Sequence, residues 1–111
     1  MATLSELAPD FASEVEATLR AEGYGDISSA VPTMGVESCT FDSEANMGYI
    51  RFVRPMDPGY SRDLAAPVKK TIPFAGPHWF NIDVDHDGVL FGIELDGRAD
   101  VVTALRANGA L

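Results

Sequence analysis

Asp83-Val84-Asp85-His86-Asp87-Gly88, followed by Glu94, satisfies the D-x-D-x-D-G-x5-E pattern of a calcium loop. In such a loop the first, third and fifth residues supply carboxylates, the glycine turns the chain, and the twelfth residue closes the cage as a bidentate ligand. The flanking sequence argues for a different geometry. An EF-hand needs a helix on each side, yet Pro73, Gly76 and Pro77 lie upstream, and residues 78–84 and 89–95 both alternate with period two. That pattern predicts two strands joined by a hairpin at Asp87-Gly88. Glu94 would then run back along the partner strand, roughly 20 Å from the turn at about 3.4 Å per residue. No metal and no cofactor are expected. A cation held by the turn carboxylates Asp83, Asp85 and Asp87 alone is the weaker alternative.

The remaining reactive side chains offer no constellation. His78 follows Gly-Pro and His86 sits in the turn, so both are expected in solvent. Cys39 shares the parity of Phe41 and reads as a small core residue with no base beside it. No G-x-S-x-G, phosphate-binding loop or dinucleotide fingerprint is present. The expectation is a protein that is not an enzyme. Glu94 is the odd residue of its strand, on the face opposite Ile93. If the strands are neighbours, Tyr49, Arg51, Asn81 and Asp83 share that face, and Trp79 has the parity of Asn81. An ordinary cross-strand ion pair is one reading. The other is a ligand or partner face made of Tyr49, Arg51, Trp79, Asn81 and Glu94. An indole on a polar outer face points to a covering second subunit, hence a homodimer.

The elements that must position these residues follow from periodicity. Leu7, Phe11, Val15 and Leu19 recur every four residues, with Pro9 suited to a first turn and Gly23 to a stop, predicting a helix over 9–22. Ile27, Ala30 and Val31 allow one more helical turn. Strands are expected at 36–41, 47–54, 68–72, 78–84 and 89–95. The third is confined to an edge by its flanking prolines, and a long loop spans 55–66. A short helix over 99–107 closes the chain. The expected architecture is a single α+β domain: an N-terminal amphipathic helix, four or five mostly antiparallel strands and a short C-terminal helix. Within it, 1–35 is a helical extension, 36–97 a β-rich core and 98–111 the closing segment. The sheet should bury Ile50, Phe52, Phe80, Ile82, Val84, Phe91 and Ile93 against Phe11, Val15 and Leu19.

Composition bounds the function. The 111 residues are 46 % hydrophobic and 23 % charged, ordinary for a globular chain, and one cysteine excludes an internal disulfide. Net charge is −9, which argues against direct electrostatic binding of nucleic acid. No apolar run is long enough for a membrane span and no basic leader opens the chain, so a cytoplasmic location is expected. The charge is uneven. Residues 1–50 hold nine acids and one base, Arg20, whereas 51–70 hold five bases against two acids. The segments either neutralise each other or leave an acidic face for a basic partner.

Two stretches carry a family resemblance. Phe41-Asp42-Ser43-Glu44-Ala45-Asn46-Met47-Gly48-Tyr49-Ile50-Arg51 resembles the YDxEADALYIR opening of a family of small bacterial proteins called Domain of Unknown Function 2283. Residues 81–95, with Asp85, Asp87-Gly88 and Gly92-Ile93-Glu94, resemble that family's closing DxDGxxxGIEIL pattern. The resemblance covers about residues 41–97; Asn46, Gly48 and the longer proline-rich insert depart from the family pattern. It implies a compact strand-rich domain that associates through its sheet, sometimes as the antitoxin half of a toxin–antitoxin pair, and it carries over no catalytic residues. The expected function is thus a non-enzymatic acidic interaction or regulatory module, antitoxin- or immunity-like, acting on a basic protein partner. The alternative is a small-molecule or cation-binding module using the sheet face or the Asp-rich turn.

Overall fold

A computed structural model describes residues 1–54, 67–74, 76 and 78–111. Among them, helices α1 (Leu4–Leu7), α2 (Pro9–Ala21) and α3 (Gly25–Ala30) precede strands β1 (Val36–Asp42) and β2 (Met47–Phe52). Strands β3 (Val68–Phe74), β4 (Phe80–Asp85) and β5 (Leu90–Asp96) follow, and α4 (Ala99–Ala107) closes the fold. The described strands form one antiparallel sheet in the order β1-β2-β5-β4-β3. This is the α+β architecture expected from the periodicities. The loop expected at 55–66 lies outside the described residues.

The helices pack on one face of the sheet. Phe11, Val15 and Leu19 of α2 and Leu4 and Leu7 of α1 bury against Ile50, Phe52, Phe80, Ile82, Ile93 and Leu95. Val101 and Leu105 of α4 complete the layer. Each such side chain contributes roughly 1.5–3 kcal/mol by leaving water. Phe80 is a hub, meeting Phe11 edge-on at 5.6 Å and Phe74 at 5.2 Å between ring centroids. Helix α1 was not anticipated, although Thr3 and Glu6 form a capping box: each side chain bonds the other's backbone N–H. Ser28, fully buried, donates to the Glu16 carbonyl at 2.8 Å and locks α3 onto α2.

Two sequence expectations need correcting. β3 continues through Pro73 to Phe74 at the edge of the described sheet, a position where a strand tolerates proline. Phe91 is buried, 8 % exposed, but outside the core cluster. Its strand carries a bulge: Asp83 pairs with Gly92 while Val84 pairs with Leu90. The extra residue shifts parity, so Leu90 takes the core position and Phe91 lies beneath Arg51 and Arg54, whose guanidinium carbons sit 5.2 and 5.4 Å from its ring centre.

Candidate functional site

The face opposite the helices brings together Tyr49, Arg51, Asn81 and Glu94, four of the five residues expected to form a ligand or partner face, with Asp83 among them. Register does this directly. Tyr49 pairs with Glu94, Glu94 with Asn81, Arg51 with Gly92, and Gly92 with Asp83. The polar groups bond one another. The Tyr49 hydroxyl donates to Asp83 Oδ2 and the Thr71 hydroxyl to Asp83 Oδ1, each at 2.7 Å. Asn81 Nδ2 donates to Glu94 Oε1 at 3.0 Å. Burial, then the Asp83 bond, hold the Tyr49 phenol well above its ordinary ionisation range. The Tyr49 ring lies across Gly92 so closely that a Cβ there would fall 2.3 Å from the hydroxyl oxygen. Only glycine leaves room for it. Arg51 faces Glu37, at 3.9 Å, rather than Glu94, so the expected Arg51–Glu94 ion pair is not formed.

Trp79, the fifth residue, is elsewhere. Strand β4 starts after it, and its φ of +55° breaks the alternation that would have put the indole beside Asn81. The side chain, 51 % exposed, instead lies over Gly76. The outer face of the described sheet therefore carries no indole.

The backbone around Trp79 is held by a corner that sequence reasoning missed. Arg98 clamps Glu14 with both terminal nitrogens, at 2.9 and 2.7 Å, and also donates to the His78 carbonyl at 2.6 Å. His78 Nδ1 lies 2.9 Å from Glu14 Oε2, so this histidine is paired rather than free in solvent. Arg98 is only 12 % exposed in its side chain and stacks over Phe11 at 5.1 Å. Its charge is reinforced first by Asp100 and then by Glu14. Burial alone would raise the Glu14 carboxyl, but the bonds from Arg98 and His78 outweigh it and hold Glu14 below its usual range. No local pattern announces this cluster, because its members come from α2, the approach to β4 and the start of α4.

The calcium-like residues are dispersed. Asp85, 2 % exposed, accepts the backbone N–H groups of Asp87 and Val89 on Oδ1, each at 2.9 Å, and so shapes the hairpin. Gly88, at φ +75°, completes that turn. Asp83 faces Tyr49 and Thr71, Asp87 is exposed at the tip, and Glu94 is bonded to Asn81. The described residues hold no group of three or more His, Cys, Asp or Glu side chains placed to bind a metal ion. Cys39 is half-buried against the core, and burial pushes its thiol up. No described helix is long and apolar enough to cross a membrane.

No family model matches the chain, and neither a curated protein nor a solved structure matches it.

Proposed function

We propose that this chain is a non-enzymatic interaction module that binds and restrains a basic protein partner, in the manner of an antitoxin or an immunity protein. One observation carries the reading: five of the described bases lie over aromatic rings of the chain itself, while several acids face solvent without an ion pair among the described residues. Arg51 and Arg54 stack on Phe91, Lys70 on Tyr24, Arg98 on Phe11 and Arg106 on Phe41. Meanwhile Asp10, Glu22 and Asp26 are exposed and form no ion pair among the described residues. Together with a net charge of −9, this leaves a helical side whose field attracts cationic surfaces and accelerates encounter with them. The outer sheet face supports the reading by contrast, since Asp83 and Glu94 there are already hydrogen-bonded within the chain.

The test is retention of proteins from an extract of the source cells on the immobilised chain, followed by titration of each purified binder at low and physiological salt. A basic protein whose affinity falls as salt rises is the expected result. Binders that are acidic, or indifferent to salt, overturn the proposal, as does an empty column.

A further inference from the structure

Asn108 is the one asparagine of the chain's three that precedes a glycine, and the chain has no glutamine. Asparagine is chemically labile because the backbone nitrogen of the next residue can attack its side-chain carbonyl carbon. Glycine in that next position removes the Cβ that would crowd the attack. Met47 follows Asn46 and Ile82 follows Asn81, and the Asn81 amide is further held by Glu94. Asn108 and Gly109 are exposed at the end of α4, and a Cβ built on Gly109 meets nothing within 4 Å among the described residues. Helix ends fray, which lets the backbone there reach the geometry of attack.

The atom that leaves in this reaction is one that the fold uses. Asn108 Nδ2 donates to the Leu7 carbonyl at 2.9 Å and to the Ala104 carbonyl at 3.1 Å. The first bond ties the end of α4 to the end of α1, and the second closes the last turn of α4 itself. An ionised carboxylate has no donor. In place of the amide it would set its oxygens against two carbonyl oxygens and add a negative charge at the negative end of the helix dipole. The start of α4 is held separately, by the bonds from Arg98 to Glu14.

We propose that Asn108-Gly109 is a site of spontaneous deamidation, and that loss of the Asn108 side-chain nitrogen releases the end of α4 from α1. The Gly109 nitrogen gives up its proton and bonds to Asn108 Cγ. The Cγ–Nδ2 bond breaks, and that nitrogen departs as ammonia with a proton from solvent. Water then opens the resulting cyclic imide at either carbonyl, leaving aspartate or isoaspartate. No oxidant or further reactant enters.

The experiment ages the folded protein in mildly alkaline buffer at physiological temperature and follows it by peptide mass mapping after trypsin. The mass difference between an amide and an acid should appear first in the peptide that begins at Ala107, ahead of those holding Asn46 and Asn81. The more acidic form, separated by anion exchange, should melt lower by roughly 4–8 °C. Cys39 lines the same groove as Leu7 and Asn108, so its alkylation should quicken by at least about threefold as that end opens. Asn108→Asp, made directly, should melt below the parent without ageing. Asn108→Gln, whose longer side chain closes the ring far more slowly, should age without these losses. Mass gain that is absent, or faster at Asn46 or Asn81, overturns the site. Gain at Asn108 with melting and Cys39 reactivity unchanged overturns the release, as does an Asn108→Asp variant that melts like the parent. Equal loss of stability on ageing Asn108→Gln places the damage elsewhere and overturns it too.

Discussion

The outer sheet face and the Glu14–Arg98 corner each hold a carboxylate with strong donors around it, and they are built in opposite ways. On the sheet, Asp83 is met by neutral hydroxyls from Tyr49 and Thr71, whose positions follow from strand register. At the corner, Glu14 is met by a guanidinium 84 residues away in sequence. The first is a network closed within the sheet and oriented by the pleat. The second ties three parts of the chain together and holds the strained backbone of an exposed tryptophan. The difference teaches how each is fixed: polar groups on the sheet satisfy one another through register, whereas the corner spends its bonds on holding the backbone beside a half-exposed indole.

The largest expected effect breaks the corner. Arg98→Ala leaves Glu14 partly buried without its fork, at a cost of about 3 kcal/mol in chemical denaturation. Arg98→Lys should fall between, because an ammonium cannot make the paired bonds. Asp100→Ala should cost under about 0.5 kcal/mol, since that side chain is 68 % exposed. An Arg98→Ala loss no larger than that of Asp100→Ala would reduce the corner to a surface ion pair. The acid side carries the same signature. A carboxyl held below its usual 4.5 contributes stability that is complete above that pH and is lost as pH falls through the lower folded value. Stability below pH 4.5 should therefore drop more steeply in the parent than in Arg98→Ala.

Next comes the sheet. Gly92→Ala drives a methyl into the Tyr49 ring and should cost about 2 kcal/mol. In a Tyr49→Ala background the same substitution should become nearly neutral, and a double-mutant cycle measures that coupling. Additive losses would mean the ring does not lie across Gly92 in solution. Tyr49→Phe removes one hydrogen bond and should cost about 1 kcal/mol. Because the folded phenol resists ionisation, its stabilisation is full below the ordinary value of 10.0 and is lost as pH rises beyond it. Tyr49→Phe should flatten that alkaline decline.

The same contrast explains what the sequence made legible. Alternation and the Asp-Gly turn located β2, β4, β5 and the face shared by Tyr49, Arg51, Asn81 and Glu94, because cross-strand position is a local property once the hairpins are known. The four-residue spacing of Phe11, Val15 and Leu19 located α2. Alternation failed where one residue altered the count. The bulge at Phe91 exchanged it with Leu90, and the left-handed Trp79 left the strand one residue before its predicted face. Neither residue type favours such a conformation, so nothing local announces it. The capping box at Thr3 and Glu6 was present in the sequence as T-x-x-E and preceded only a one-turn helix. The Glu14–Arg98–His78 corner depends on the final packing of α2 against the start of α4, which no spacing encodes.

The smallest effect sharpens the comparison at Trp79 itself. If the corner holds this residue at positive φ, glycine should be preferred there over alanine, since alanine keeps the left-handed penalty and loses the indole as well. Against this, glycine gives the unfolded chain more freedom, which offsets part of the gain. The net expectation is Trp79→Gly more stable than Trp79→Ala by about 0.5–1 kcal/mol. At Tyr49, in ordinary extended backbone, the order should reverse, with alanine above glycine. Equal stabilities for the two Trp79 variants would show a backbone free to leave the left-handed region, and the indole would then be a loosely held surface residue rather than one fixed by the corner.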